Sequence, residues 1–307
     1  MANDFTYYAP TKVVFGKGAE AQVGKLVKEQ NCKKVLIHYG GGSAKRSGLL
    51  DRITDSLEKE GVDYVSLGGV VPNPRLSLVY EGIELCKKEG VDFILAVGGG
   101  SVIDSSKAIG YGVANGGDVW DFYAQKRVTD KCAPIGVVLT IAAAGSEMSN
   151  SSVITNDETG LKRSYHTEIS RPRFAIMNPE FTMTLPEYQT ACGCTDIMMH
   201  TMERYFTAGE TMELTDKIAE SVMQIVLKNA PILVLDEATA FADPENEYKM
   251  QQAIQQLIKN KTVIIIAHRL SSIISAEQIL VLKEGKLVQS GRHEVLSKTD
   301  GVYKRMW

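Results

Sequence analysis

A run of glycines carries the strongest chemical signal in the sequence. Residues 98–101, Gly-Gly-Gly-Ser, follow the apolar run 93–97 and open a helical pattern that carries Asp104 and Lys107. Glycines let a backbone approach a pyrophosphate closely, and amide groups at a helix start direct partial positive charge toward it. The pattern therefore predicts a phosphate-binding turn, with a plain tight turn as the alternative.

Asp196 and His200 form a second candidate site. They lie four residues apart in a helical pattern over residues 186–206, so both side chains project from one face. One carboxylate and one imidazole are suitable first ligands for a divalent iron or zinc ion. The alternative is an ordinary surface Asp–His pair, and the spacing alone leaves both interpretations open.

A third candidate lies in the last third of the chain. Asp236 and Glu237 follow the apolar run 232–235, and His268 follows a second apolar run, 263–267. A buried strand can deliver an aspartate to a magnesium ion, while an adjacent glutamate orients or deprotonates an attacking water. Buried strands that end in these residue types also occur in unrelated α/β folds.

Alternating apolar runs and amphipathic stretches must position these residues. Over residues 1–185 the alternation predicts a parallel sheet that binds ligands at the carboxyl ends of its strands. The predicted strands are 35–37, 62–67, 93–97 and 135–140, and the predicted helices are 49–59, 76–89 and one that starts at residue 103. Helices at 186–206 and 214–227 follow.

The pattern changes again at about residue 228. Strands at 232–235 and 263–267 flank a predicted helix at 245–260, and 279–282 with 286–288 predict a hairpin. The chain is thus predicted to consist of an α/β domain at 1–185, helices at 186–227 and a third piece at 228–307.

Composition excludes several classes of protein. Across 307 residues, 34 basic side chains nearly balance 37 acidic ones, which argues against a nucleic-acid binder. Five scattered cysteines predict free thiols in a reducing compartment. The apolar runs are strand-sized, so direct membrane insertion is not expected. With no signal-peptide pattern at the start, a cytoplasmic location is the expectation.

The order of the motifs resembles the iron-containing alcohol dehydrogenase family, in its butanol-dehydrogenase-like branch. The similarity runs to about residue 223 and also includes Gly145-Ser146-Glu147 and the stretch 190–200. It implies a Rossmann-like domain followed by the start of a helical metal-binding domain. It also implies that Asp104 supports the pyrophosphate loop and that the cofactor is contacted by Gly41, Ser43, Asn73, Gly99, Gly100, Ser101, Thr140 and Lys162.

The resemblance implies hydride transfer between NAD or NADP and a small alcohol or aldehyde, with the metal polarising the substrate oxygen. Family members often carry an acidic residue after the first strand, where it holds a ribose hydroxyl. This chain has glycines at 40–42 and Ser43 there, with Lys45 and Arg46 beyond. Because no carboxylate repels a 2′-phosphate, NADPH is favoured over NADH.

The resemblance breaks in the metal site. The family adds two histidines from a later helical domain to the pair that Asp196 and His200 match. His268 and His293 follow a strand and a hairpin instead, so their positions are interpreted as coincidence. The Fe²⁺ (or Zn²⁺) site is therefore expected to be incomplete and turnover impaired.

Residues 224–307 resemble the carboxyl-terminal part of an ABC-transporter ATPase domain, which implies a partial RecA-like α/β segment. Asp236 and Glu237 match its Walker B motif, and His268 matches its H-loop. No Gly-x-x-x-x-Gly-Lys-Ser/Thr occurs in the chain, so ATP hydrolysis by it alone is not expected. The open sheet edges of this piece are expected to be prone to association.

The sequence is therefore interpreted as a chimera joined near residues 224–231. Its leading predicted function is that of an impaired alcohol dehydrogenase, and the family resemblance suggests a homodimer. The alternatives are a nucleotide-binding chimera without turnover and an ABC ATPase fragment that requires a partner.

Overall fold

The computed structural model describes residues 6–206, 212–230, 232–236, 262–266 and 270–306. The chain divides into two compact units, Met1–Thr184 and Leu185–Trp307. No helix in the described ranges is long and apolar enough to cross a membrane. All five cysteines are free thiols.

Strands and helices alternate through the first unit. Its strands are β1 (Lys12–Phe15), β2 (Lys34–Tyr39), β3 (Asp63–Leu67), β4 (Phe93–Gly98), β5 (Ile135–Leu139), β6 (Ser151–Thr155), β7 (Lys162–His166) and β8 (Phe174–Met177). Its helices are α1 (Val23–Lys28), α2 (Ser43–Arg46), α3 (Leu49–Lys59), α4 (Leu76–Glu89), α5 (Gly100–Ala114) and α6 (Trp120–Tyr123).

Six of these strands form a parallel sheet in the order β1-β8-β5-β4-β2-β3. Strand β2 pairs with β3 on one side and with β4 on the other, so the chain changes direction across the sheet at β2 and β4. In an open parallel sheet, the crevice beyond the carboxyl ends of two such strands is where ligands bind. The sheet has the predicted Rossmann-like α/β architecture.

Helices cover both faces of the sheet. Alternate residues of β2 point to opposite sides: Val35 and Ile37 pack with α1 and α3, whereas Leu36 packs with α4 and α5. Both faces of β4 are buried along its whole length. This explains why the central strands are continuous apolar runs instead of alternating ones.

An antiparallel hairpin, β6–β7, lies outside the main sheet. Contacts with two other elements hold it in place. The amide of Thr155 donates to the carbonyl of Pro74 at 2.9 Å, and the amide of Val153 donates to a carboxylate oxygen of Asp104 at 3.0 Å. The hairpin is therefore fixed to the loop after β3 and to helix α5.

The second unit begins with two packed helices, α7 (Glu187–Tyr205) and α8 (Glu213–Asn229). Strands β9 (Ile232–Asp236) and β10 (Thr262–Ile266) form a parallel pair, and β11 (Ile279–Lys283) with β12 (Lys286–Gly291) forms an antiparallel hairpin. Short helices at His293–Leu296 and Val302–Met306 follow, and Leu296 and Tyr303 pack with Ile279 and Val281.

The predicted helices 49–59 and 76–89 are confirmed to the residue. The helix after the glycine run begins at Gly100, three residues before the predicted start, because the Gly99 carbonyl accepts hydrogen bonds from the amides of Val102 and Ile103. The strands predicted at 232–235 and 263–267 are present as β9 and β10, and the predicted hairpin is present as β11–β12. The predicted helix 245–260 lies outside the described residues.

Candidate active site

Two glycine turns lie side by side at the carboxyl edge of the sheet. Residues 40–42 follow β2, and Gly99 with Gly100 follows β4, its neighbour in the sheet. Gly41, Gly42 and Ser43 are exposed, and nothing lies within 4 Å of the position that a Cβ on Gly41 would occupy. Both turns therefore border the crevice where a parallel α/β sheet binds its ligand.

The second turn is closely covered by the β5–β6 loop, residues 140–150. A Cβ on Gly100 would lie 3.0 Å from the Cβ of Ala144 and 3.4 Å from the hydroxyl oxygen of Ser146. A Cβ on Gly99 would collide with the side chain of Ile141. A side chain at Gly99 or Gly100 would therefore require the loop or its side chains to shift.

The predicted contact residues Ser101 and Thr140 lie at the same edge. Ser101 is in the first turn of α5 and is half-buried. The amide of Thr140 donates to the carbonyl of Gly98 at 3.2 Å, which continues the pairing of β5 with β4 by one residue. Thr140 itself is half-buried and follows the last residue of β5.

Asn73 and Lys162 are in direct contact. The ammonium group of Lys162 donates to the amide oxygen of Asn73 at 2.8 Å. Asn73 follows β3 and has a positive φ of 59°, a left-handed conformation that asparagine adopts more readily than most residues. Lys162 opens β7. The contact brings together two of the residues that the family resemblance implies as cofactor contacts.

Asp104 supports the hairpin more directly than the glycine turn. Its Oδ2 accepts the Val153 amide at 3.0 Å, whereas its buried Oδ1 has no hydrogen-bond partner in the described part of the chain. Burial raises the pKa of this carboxyl group, and the positive charge of Lys107 and the Val153 amide oppose that rise. The neighbouring Ser146 side chain lowers the pKa as well, so Asp104 lies between the hairpin and the β5–β6 loop.

These features fit a dinucleotide. The open space above Gly41 admits a close approach of phosphate to the backbone, and Gly41, Gly42 and Ser43 are exposed. The described residues fit a metal less well. Asp196 and His200 lie on one face of α7, with their Oδ1 and Nε2 atoms 3.6 Å apart, and both side chains are more than half exposed.

His200 also lies near a second carboxylate, that of Glu203, but this contact involves its other ring nitrogen, Nδ1, at 3.6 Å. No three His, Cys, Asp or Glu side chains within the described ranges are grouped to hold a metal ion. A tetrahedral site needs four donors. The two donors therefore do not fit a resident metal by themselves.

The third candidate can be placed only in part. Asp236 is the last residue of β9, and its backbone pairs with that of Ile266 in β10. Glu237 and His268 lie outside the described residues. His293 begins a short helix after β12, and its Nδ1 lies 2.9 Å from the hydroxyl of Tyr303.

The side chain of Lys107 has a position that the sequence pattern does not predict. Lys107 is fully buried in α5 and donates to the carbonyls of Ser146, Ser149 and Ser151 at 2.8–2.9 Å. Lys107 lies three residues after Asp104, and residues three apart share a helix face. This spacing indicates that the two side chains lie close together. Its acceptors are backbone carbonyls, which leave no trace in a sequence.

Comparison with known proteins agrees with this geometry. The family model "Iron-containing alcohol dehydrogenase" matches residues 10–179. "Probable NADH-dependent butanol dehydrogenase 2" of Bacillus subtilis is 49% identical over 233 residues, which are 76% of this chain and 60% of that protein. The "NADPH-dependent aldehyde reductase" of Escherichia coli K12 is 37% identical over 248 residues, 80% of this chain and 61% of that protein.

The crystal structure of NADH-dependent butanol dehydrogenase A from Thermotoga maritima superposes with a TM-score of 0.70 at 42% identity, covering 73% of this chain and 56% of that one. The chain thus spans about 60% of the length of the curated relatives that it matches. The family model covers more than half of the present sequence, including both glycine turns, Asn73, Asp104 and Lys162. The chain belongs to the iron-containing alcohol dehydrogenase family.

Proposed function

We propose that this protein is an NAD(P)-dependent oxidoreductase that interconverts small alcohols and aldehydes. The observation that carries the proposal is the pair of glycine turns beyond β2 and β4, at the point where the sheet changes direction. Relatives named as butanol dehydrogenases and an aldehyde reductase support the substrate class.

In this proposal the turns bind the cofactor and the neighbouring side chains orient it. Backbone amides of Gly99, Gly100 and Ser101 face the pyrophosphate, since the start of α5 carries partial positive charge. Gly41 and Ser43 bind the adenosine end. When bound, the nicotinamide supplies or accepts the hydride.

Three further side chains complete the cofactor site in this proposal. Lys162 lies near the ribose or nicotinamide, with its ammonium group oriented by Asn73 at 2.8 Å. Thr140 contacts the cofactor from the loop after β5, and Asp104 holds the hairpin in place through Val153. Together they keep the cofactor in one orientation at the edge of the sheet.

A preference for NADPH is part of the proposal. Two exposed basic residues, Lys45 and Arg46, lie in α2 directly after the first turn, and the guanidinium group of Arg46 folds back over Gly42. A guanidinium group suits a 2′-phosphate, and no acidic residue lies between positions 40 and 46 to repel it. Relatives named for NADH and for NADPH both occur.

We further propose that turnover is impaired. Asp196 and His200 would be the first two ligands of Fe²⁺ or Zn²⁺, but two donors on an exposed helix face bind such an ion weakly. The resulting alternative is a protein that binds the nucleotide without turnover. A homodimer and a cytoplasmic location complete the proposal, both by analogy with the family.

The second candidate function concerns the tail. We propose that residues 224–307 are the carboxyl-terminal piece of an ABC-type ATPase domain, with Asp236, Glu237 and His268 as remnants of its site. The supporting observation is the parallel pairing of β9 with β10, followed by the hairpin β11–β12. ATP hydrolysis that appears only after mixing with an intact ATPase subunit would support this candidate, and Glu237→Gln should abolish that gain.

A cofactor titration tests the main proposal. The purified, iron-loaded chain is titrated with NADPH and NADH while nicotinamide fluorescence is followed, and butyraldehyde is then added at saturation. Binding with slow or no aldehyde-dependent oxidation is the expected result, and His200→Ala should leave the binding unchanged. Fast oxidation would contradict the proposed impairment. Failure of both cofactors to bind would refute the site.

A further inference from the structure

The buried lysine of α5 holds the loop that covers the glycine turn. The ammonium group of Lys107 donates to the carbonyl oxygens of Ser146 at 2.9 Å, Ser149 at 2.8 Å and Ser151 at 2.8 Å. The Ser149 hydroxyl is a fourth acceptor at 3.2 Å. Lys107 has no exposed surface. All three donors of one cation are thus used to hold a single short segment.

The loop so held shapes the entrance to the glycine turn. Its residues Ala144 and Ser146 would lie within 3.4 Å of a Cβ on Gly100, and Ile141 occupies the corresponding space at Gly99. The loop therefore packs directly against the backbone at the start of α5. Among the described residues, Arg171 also holds the loop, through the Met148 carbonyl at 2.6 Å.

We infer that Lys107 is a positioning residue for the cofactor: its buried ammonium group keeps the β5–β6 loop in the position from which it packs against the glycine turn and borders the proposed pyrophosphate site. The inference rests on the proposed nucleotide site and adds a residue that does not touch the nucleotide. Lys107 acts through carbonyl groups that lie 39–44 residues further along the chain.

The charge of Lys107 is set by the groups around it. Burial lowers its pKa from 10.5 to about 8, an effect that Asp104, Cys132 and Glu147 oppose and Arg171 strengthens. The ammonium form therefore predominates below pH 8 and is lost as the pH rises through 8. The neutral amine has one donor fewer for the three carbonyls, so the loop is held less firmly and cofactor affinity falls.

Stability changes in the opposite direction over the same range. Because the folded pKa lies below the unfolded one, the unfolded chain binds more protons between pH 8 and pH 10.5, and this group makes unfolding harder as the pH rises. A loss of affinity above pH 8 caused by Lys107 is therefore distinguishable from partial unfolding. A lysine with a merely structural role would contribute to the change in stability but would leave the cofactor affinity constant over this pH range.

The test compares the wild-type chain with Lys107→Met, which keeps the length of the side chain and removes its charge. Lys59→Met, at an exposed lysine of α3, is the matched control. The dissociation constant of NADPH and the melting temperature are measured from pH 6.5 to 9.5. Amide hydrogen exchange is followed in the protein without cofactor.

We expect wild-type affinity to be constant below pH 7.5 and to weaken about tenfold by pH 9.5, which is ~1.4 kcal/mol. Lys107→Met should bind about tenfold more weakly at pH 7 and show no pH dependence, with faster exchange confined to residues 141–151. Lys59→Met should match the wild type.

Equal affinity in Lys107→Met, or a flat wild-type profile, would overturn the inference, as would faster exchange throughout the first unit. A wild-type chain that binds no cofactor would refute the proposed function instead, and the exchange data would still decide whether Lys107 holds the loop. Should Lys107→Met fail to fold, the wild-type pH profile decides.

Discussion

The amide oxygen of Asn73 accepts a 2.8 Å hydrogen bond from the ammonium group of Lys162, 89 residues further along the chain. The bond joins the loop after β3 to the first residue of β7, and both side chains are exposed. A lysine held in one direction at the open edge of a sheet is suited to meet a ligand, because part of its conformational entropy is already lost.

Asn73→Gly should separate this contact from the backbone conformation. Glycine adopts a φ of 59° without strain, so the variant removes only the amide group and should melt at the wild-type temperature. We expect NADPH to bind about tenfold more weakly, or ~1.4 kcal/mol. Asn73→Ala should show the same loss of binding and a further ~1 kcal/mol loss of stability. Wild-type binding by Asn73→Gly would refute the role of the contact.

Gly41→Ala tests the close approach of phosphate to the first turn. Nothing in the protein lies within 4 Å of the added methyl group, and Gly41 does not have a positive φ, so stability should be unchanged. A phosphate against the backbone would collide with the methyl group, and we expect at least tenfold weaker binding by fluorescence titration. Gly116→Ala, in equally open space, is the control. Equal binding by both variants would place the phosphate elsewhere.

Local signals account for the part of this fold that the sequence predicted. Helices α3 and α4 carry periodic apolar residues, and α4 is followed directly by Gly90, which has a φ of 67°. Both helices could therefore be delimited from neighbouring residues alone. The glycine turn after β4 is a local signal too.

The hairpin β6–β7 could not be predicted in the same way. Strand β7 reads Lys-Arg-Ser-Tyr-His and is almost entirely exposed, so it has no apolar period. Contacts from distant elements, such as Asp104 to Val153, determine its place. The carbonyl acceptors of Lys107 were hidden for the same reason. Burial, not local pattern, gives these residues their roles.

Asp196 and His200 predict a weak metal site that is independent of cofactor binding. Because Asp196 and His200 are exposed and supply two donors, Zn²⁺ should bind weakly and be removed by dialysis against a chelator. Calorimetry should show that His200→Ala abolishes the binding while the NADPH dissociation constant stays unchanged. His166→Ala, at another exposed histidine, is the control. Stoichiometric metal that survives dialysis would reveal ligands beyond this pair.

Exposed leucines on the β11–β12 hairpin predict that copies of the chain associate through it. Leu280, Leu282 and Leu287 are each more than half exposed, and Leu282 pairs with Leu287 across the strands. Contiguous exposed apolar side chains on a short sheet favour contact with another chain. The double variant Leu280→Lys/Leu282→Lys should therefore lower the mass-average molecular weight at high concentration in sedimentation experiments. Val128→Lys, at an isolated exposed valine, should leave this weight unchanged. An unchanged weight in the double variant would show that the hairpin does not mediate association.

His38 links the sheet to helix α5 through both ring nitrogens. Nδ1 donates to the carbonyl of Leu67 at 2.9 Å, since a carbonyl can only accept, and Nε2 therefore accepts from the hydroxyl of Ser105 at 2.9 Å. The ring is fully buried. Burial lowers its pKa from 6.5 to about 4, while the Leu67 carbonyl opposes that shift. The folded protein thus holds this histidine neutral.

This histidine should make the first unit sensitive to acid. Below pH 6.5 the unfolded chain takes up a proton that the folded one cannot, so stability present above pH 6.5 falls toward pH 4, by about 2 kcal/mol at pH 5. Urea unfolding, followed by Trp120 fluorescence in a Trp307→Phe background, measures how the free energy of unfolding changes with pH.

The variant His38→Asn tests the assignment. It should retain the bond to Leu67, be less stable at pH 7 and lose most of the slope of unfolding free energy between pH 6.5 and 5. His166→Asn, at an exposed ring, should keep it. Parallel pH profiles for His38→Asn and the wild type would assign the acid sensitivity to other groups.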